Sequence, residues 1–177
     1  MAVMTRSWLK APARWRSSRG FGIHSPFAYD LIVNTLRERR CGYYLYADIE
    51  SRYKADSKVL KLILRLMSRL HPASVCAVGS LADAVTAIAR HVDSRVITGS
   101  PDCPDMLIVT PGAGDPSVPS LVGETLSAGG AVIITDCRQY ADISVIAFER
   151  AMTFNNGRML VAVGRPDLPR QHFDISF

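Results

Sequence analysis

Ala73-Ser74-Val75-Cys76-Ala77-Val78-Gly79-Ser80-Leu81-Ala82-Asp83 decides the fold of this chain. A short apolar run meets a single glycine, and a helix-forming stretch with Val85, Ile88 and Ala89 at helical spacing follows. Strand, tight turn and helix in that order are the start of a βαβ unit. The glycine falls where a nucleotide-type cofactor would approach the backbone, because a residue without Cβ permits both the turn and the close approach.

Downstream the alternation repeats. Arg95 to Thr98, Met106 to Val109 and Ala131 to Thr135 are brief apolar or β-branched runs, and the spacing predicts helices over Leu81 to His91, Ser117 to Ser127 and Ser144 to Met152. The order implies an α/β domain with a mostly parallel sheet covered on both faces. Asn155-Asn156-Gly157 is a turn signal, Arg158 to Val163 and Gln171 to Phe177 are two further strands, and the short segment between them predicts an antiparallel pair at the sheet edge.

Upstream, Ser25 is an N-cap and Pro26 suits the first helical position. Phe27, Leu31, Ile32 and Leu36 form one stripe, so a helix is expected over about 26–39. Tyr53, Leu60, Ile63, Met67 and Leu70 mark a second helical stretch over 48–70, stopped by His71-Pro72. Two helices are therefore expected before the first strand.

Of 21 basic and 16 acidic residues, Arg6, Lys10, Arg14, Arg16 and Arg19 lie in residues 1–20 with no acid among them, so the net charge of +5 belongs to this arm. Trp8 and Trp15 share the arm and fall on one face if it is helical. Two readings follow: a helix docked by its tryptophans, or a contact with an anionic membrane or nucleic-acid surface. Residues 21–177 are long enough for a single core. Cys41, Cys76, Cys103 and Cys137 lie far apart with no metal-ligand spacing, and no run approaches membrane-spanning length. No leader is evident, and free thiols suit a reducing compartment, so a cytoplasmic protein is expected.

Gly22-Ile23-His24-Ser25-Pro26-Phe27 is similar to the G-[IV]-H-S-P-F signature of a bacterial family of predicted class I S-adenosylmethionine-dependent methyltransferases, and Gln171-His172-Phe173-Asp174-Ile175-Ser176-Phe177 is similar to that family's closing Q-H-F-x-I-x-F. The resemblance spans most of residues 20–177. It implies a Rossmann-like fold ending in a C-terminal antiparallel hairpin and S-adenosylmethionine as cofactor; an active enzyme would hold that cofactor with Gly79, Ser80, Asp83 and Asp136, with Asp136 the catalytic candidate.

The chain departs from the family where the chemistry is concentrated. Ala77 stands in place of the acid at the end of the first strand, and Leu81-Ala82-Asp83 replaces the second glycine. The acid expected for the ribose hydroxyls is absent from Arg95-Val96-Ile97-Thr98-Gly99-Ser100, with Asp102 and Asp105 the nearest substitutes. From Ser80 to Pro104 there are 25 residues, too few for the full set of elements, so the sheet is contracted by one βα unit. Thr135-Asp136-Cys137-Arg138-Gln139-Tyr140 keeps one of two aspartates, which is a base or metal ligand on one reading and a helix cap or partner of Arg138 on another. Cys137 has no histidine spaced to activate it, and His24 suits a turn as well as a ligand contact. Two functions stand: a degenerate methyltransferase-like domain that binds a small molecule or protein partner, and an active methyltransferase on a small-molecule substrate.

Overall fold

In the computed structural model, residues 23–38, 43–99 and 103–177 are described. The basic arm, Gly22 of the signature, Cys41 and Asp102 lie outside the described residues. Helix α1 spans Pro26–Leu31 and runs into a π-helical segment, Ile32–Leu36. It starts where the sequence says it should: Ser25 accepts from the Ala28 amide at 3.3 Å, ahead of Pro26. It ends earlier than the 26–39 expected, in a wider i→i+5 closure from Arg37 N to Ile32 O at 3.0 Å.

The 48–70 stretch is two helices, α2 (Leu45–Arg52) and α3 (Ser57–Leu70), broken where Tyr53 leaves helical dihedrals at φ −128° and ψ 49°. Among the described residues, three α-helices, the first running into a π-helical segment, therefore precede the sheet, where two were expected. Leu60, Leu62, Ile63, Leu64, Leu66 and Met67 of α3 are buried, each gaining roughly 1.5–3 kcal/mol from burial before entropy is counted.

The sheet has seven strands: β1 (Ser74–Val78), β2 (Ile97–Thr98), β3 (Met106–Val109), β4 (Ala131–Ile134), β5 (Met152–Asn155), β6 (Leu160–Val163) and β7 (His172–Asp174), in the order β2-β1-β3-β4-β6-β5-β7. The first four are mutually parallel. β6 is antiparallel to both β4 and β5, and β7 is parallel to β5. This is a Rossmann-like α/β arrangement with an antiparallel C-terminal hairpin.

The hairpin is built from different strands than those expected. Met152–Asn155 is a strand, where a helix was expected to reach Met152, and it forms the hairpin with Leu160–Val163. His172–Asp174 lies outside the hairpin, on the far side of β5.

Side-chain alternation sorts the core into two layers. Met106, Ile108, Ile133 and Val161 face α1, α2, α3 and α4 (Ala82–Val92). Leu107, Val109, Val132, Ile134 and Leu160 face α5 (Val118–Ser127) and α6 (Ala141–Arg150). No helix among the described residues is long and apolar enough to cross a membrane.

One glycine fixes how closely the hairpin sits on α5. A Cβ on Gly164 would lie 2.7 Å from Leu126 Cα and closer still to its carbonyl oxygen, while Gly164 N donates to Gly130 O at 2.8 Å. Gly164→Ala is expected to destabilise the protein by about 3 kcal/mol, since neither backbone can give way freely. In a thermal melt this appears as a fall in Tm of roughly 6–12 °C.

Candidate functional site

The chain crosses from one side of β1 to the other between β2 and β3, and the helices that follow β1 and β3 lie on opposite faces. Ligands of open α/β sheets bind at such a switch point, outside the carboxyl ends of the strands. Gly79 stands at the end of β1, Thr110 and Pro111 at the end of β3, and Thr135 and Asp136 at the end of β4. The fold thus brings Gly79, Ser80, Asp83 and Asp136 to one edge.

The crevice at that edge is filled from within. Gly79 has φ +96°, and a Cβ there would lie 2.6 Å from Thr110 Oγ1 and 2.7 Å from Pro111 O. Ser80 N donates to Pro111 O at 2.8 Å. The Thr110 hydroxyl donates to Val78 O at 2.8 Å and accepts from Leu81 N at 3.2 Å. Ala82 N donates to Gly79 O at 3.2 Å. The amides that a cofactor's anionic end would use are therefore engaged within the protein.

Tyr140, the residue just before α6, locks this closure from the loop after β4. Its hydroxyl donates to Thr110 O at 2.9 Å and accepts from Ala113 N at 2.9 Å. Neither Thr110 nor Tyr140 stands out in the sequence; Thr110 ends an apolar run, and only the pairing of β1 with β3 sets it over Gly79.

The carboxylates have separate duties. Asp83 is exposed in the first turn of α4, where a negative charge complements the helix dipole. Asp136 is half-buried and accepts from Arg138 N at 3.3 Å in a turn. It does not cap α6, whose N-cap is Tyr140, and the Arg138 guanidinium donates to Gly157 O at 3.3 Å.

Asp105 is no substitute for the ribose acid, because it lies at the other edge of the sheet. It precedes β3 and accepts from Ala73 N at 3.0 Å and Ser74 N at 2.9 Å, joining the starts of two parallel strands. Nor does β2 reach the site. Thr98 is level with Val75, so β2 stops three residues, about 10 Å, below the end of β1. Thr98 Oγ1 accepts from Arg90 at 3.1 Å, which sets a cation near that strand tip.

Burial first, and the Asp136 carboxylate second, push the Cys137 thiol above the ordinary cysteine range. A neutral thiol is a poor nucleophile. His24 is exposed at the helix entry, whereas Phe27 packs on the core with Arg165 over its ring at 5.4 Å. In the closing stretch, Thr153 Oγ1 and His172 Nδ1 share a hydrogen bond at 2.8 Å, and Phe173 stacks on Phe154 at 5.3 Å. The described residues of both signature stretches thus serve packing and chain entry.

Comparisons with protein-family models, with curated proteins and with solved structures found no match.

Thr110→Val keeps the shape of the plug and removes its hydroxyl, leaving Leu81 N–H without that acceptor. Urea denaturation is expected to show a loss of about 1–3 kcal/mol. With iodoacetamide at pH 8 and peptide mapping, exposed Cys103 is expected to be alkylated well before Cys137. Asp136→Asn removes the second cause of the raised pKa and is expected to accelerate alkylation of Cys137 severalfold.

Proposed function

We propose that this chain is a methyltransferase-like domain of the S-adenosylmethionine-dependent class I type that transfers no methyl group and acts by binding a small molecule or protein partner. The class rests on the two signature-like stretches, and a parallel sheet closed by an antiparallel hairpin is compatible with it. The loss of transfer rests on one observation above all: the Thr110 hydroxyl bridges Val78 O and Leu81 N across the mouth of the crevice.

The residues at this edge do not fit S-adenosylmethionine. Ala77 offers no carboxylate for the cofactor's amino group, β2 ends too low for a ribose contact, and Thr110 and Pro111 occupy the space over Gly79. An active enzyme holding its cofactor with Gly79, Ser80, Asp83 and Asp136 would have to break the Ser80–Pro111 and Leu81–Thr110 bonds before binding. Each is a net cost of about 1 kcal/mol, charged against affinity.

Thermal melting with S-adenosylmethionine or S-adenosylhomocysteine tests this reading. A cofactor present at about 100 times its Kd adds about 2.7 kcal/mol, which for a chain of this size raises Tm by roughly 5–10 °C. At about 1 mM of either compound a shift of less than about 1 °C is expected. A rise of several degrees would overturn the proposal.

A further inference from the structure

A second cleft opens on the same edge of the sheet, at the hairpin end. It encloses about 580 Å³ between α3, the turn joining β5 to β6, and the tail after β7. That volume lies within the roughly 300–1,000 Å³ of small-molecule sites. The turn belongs to the carboxyl edge, because Cys137 N, just past β4, donates to Arg158 O at 2.7 Å.

Its lining is part apolar, and most of its charged groups are cations. Leu62, Met159 and Phe177 contribute hydrocarbon and an aromatic ring. Arg37, Lys58, Lys61, Arg65 and Arg158 line the cleft against the Glu38 carboxylate and the terminal carboxylate of Phe177. Three of these cations already have partners, Arg37 among them. Lys61 pairs with Glu50, and Arg65 donates to Glu38 O at 2.8 Å and Leu36 O at 3.3 Å, closing the end of the π-helical segment.

Lys58 and Arg158 are different. Among the described residues their side chains have no hydrogen-bond or ion-pair partner, and they come from separate elements bounding the cleft. The backbone beneath Arg158 is fixed. Asn156 Oδ1 accepts from Arg158 N at 2.9 Å and Met159 N at 2.7 Å, and Asn156 Nδ2 donates to Phe177 O at 3.2 Å. A preorganised turn lowers the ordering cost of binding.

We infer that this cleft binds a small phosphate ester with a flat apolar body, the class to which mononucleotides belong, with Lys58 and Arg158 on the phosphate and Phe177, Met159 and Leu62 against the body. Phosphate is favoured because it accepts from several donors at once, and Arg and Lys from separate walls engage such an anion together. The switch-point crevice takes no part. This gives the proposed binding role a ligand and so rests on that reading, yet the two fail separately.

Isothermal titration of the whole chain with AMP, adenosine and inorganic phosphate tests it. AMP is expected to bind with a Kd of roughly 0.1–1 mM, and adenosine or phosphate alone about tenfold more weakly or worse. Lys58→Glu combined with Arg158→Glu is expected to weaken AMP by more than about tenfold, and the neutral pair Lys58→Gln with Arg158→Gln by less. All of these sites are exposed, so Tm should hold. Arg170→Glu, an exposed reversal away from the cleft, is expected to leave the affinity unchanged. Adenosine binding as tightly as AMP, an unchanged affinity in the Lys58/Arg158 variants, an equal loss in Arg170→Glu, or no heat with AMP at about 10 mM each overturns the inference. A cofactor-induced rise in Tm would instead remove the closed-crevice reading and leave this cleft standing.

Discussion

The missing Cβ of Gly79 is the constraint around which the carboxyl edge is organised. Because nothing projects from Gly79, the end of β3 closes directly over the end of β1, and the Thr110 hydroxyl can serve both Val78 O and Leu81 N. In a cofactor-binding α/β protein the same freedom lets a ligand approach the backbone. Here the protein's own Thr110 and Pro111 make that approach. The left-handed φ of Gly79 meets the turn requirement in either case, so glycine at this position says that something comes close without saying what.

The short β2 belongs to the same arrangement. Parallel strands of one sheet normally need a crossover of a dozen or more residues, yet residues 99–105 link β2 to β3, which lie on either side of β1. The register explains how. Thr98 and Met106 are both level with Val75, so the link does not have to descend the height of the sheet. The short link from β2 to β3 therefore goes with a β2 tip about 10 Å below the carboxyl end of β1. The domain retains its core because α3 covers the face, with six buried side chains.

How much of this was legible in the sequence depended on how local each signal is. β1, β3 and β4 announce themselves as apolar runs bounded by turn residues, and Ser25-Pro26 marks the start of α1. β5 was hidden because Met152 follows α6 with only Ala151 between them, and no glycine or proline separates the two elements. The break at Tyr53 was hidden for a similar reason, since the apolar spacing continues across it. Asp105 reads as a candidate ligand because composition does not say which end of a strand faces a site. The Thr110 plug and the Lys58/Arg158 cleft could not be read, because each joins residues far apart in the chain.

The two ends of the carboxyl edge differ for a reason built into their connections. At the switch point, β1 and β3 each lead into a helix, and the loops must pass over the strand ends, where they can fold down upon one another. At the other end β5 returns directly into β6 through a four-residue turn, so among the described residues no crossover helix covers the face between that turn and α3. A gap remains there, bounded by backbone that Asn155 and Asn156 hold in place; Asn155 Oδ1 alone accepts from Gly157 N at 2.7 Å. Two unpartnered cations cost little beside bulk water, about 1 kcal/mol even at 4 Å separation, so charge alone does not make a site. What sets this cleft apart is the combination of charge with a fixed turn and partly apolar walls, because a phosphate held by two side chains gains most where its remaining surface also leaves water.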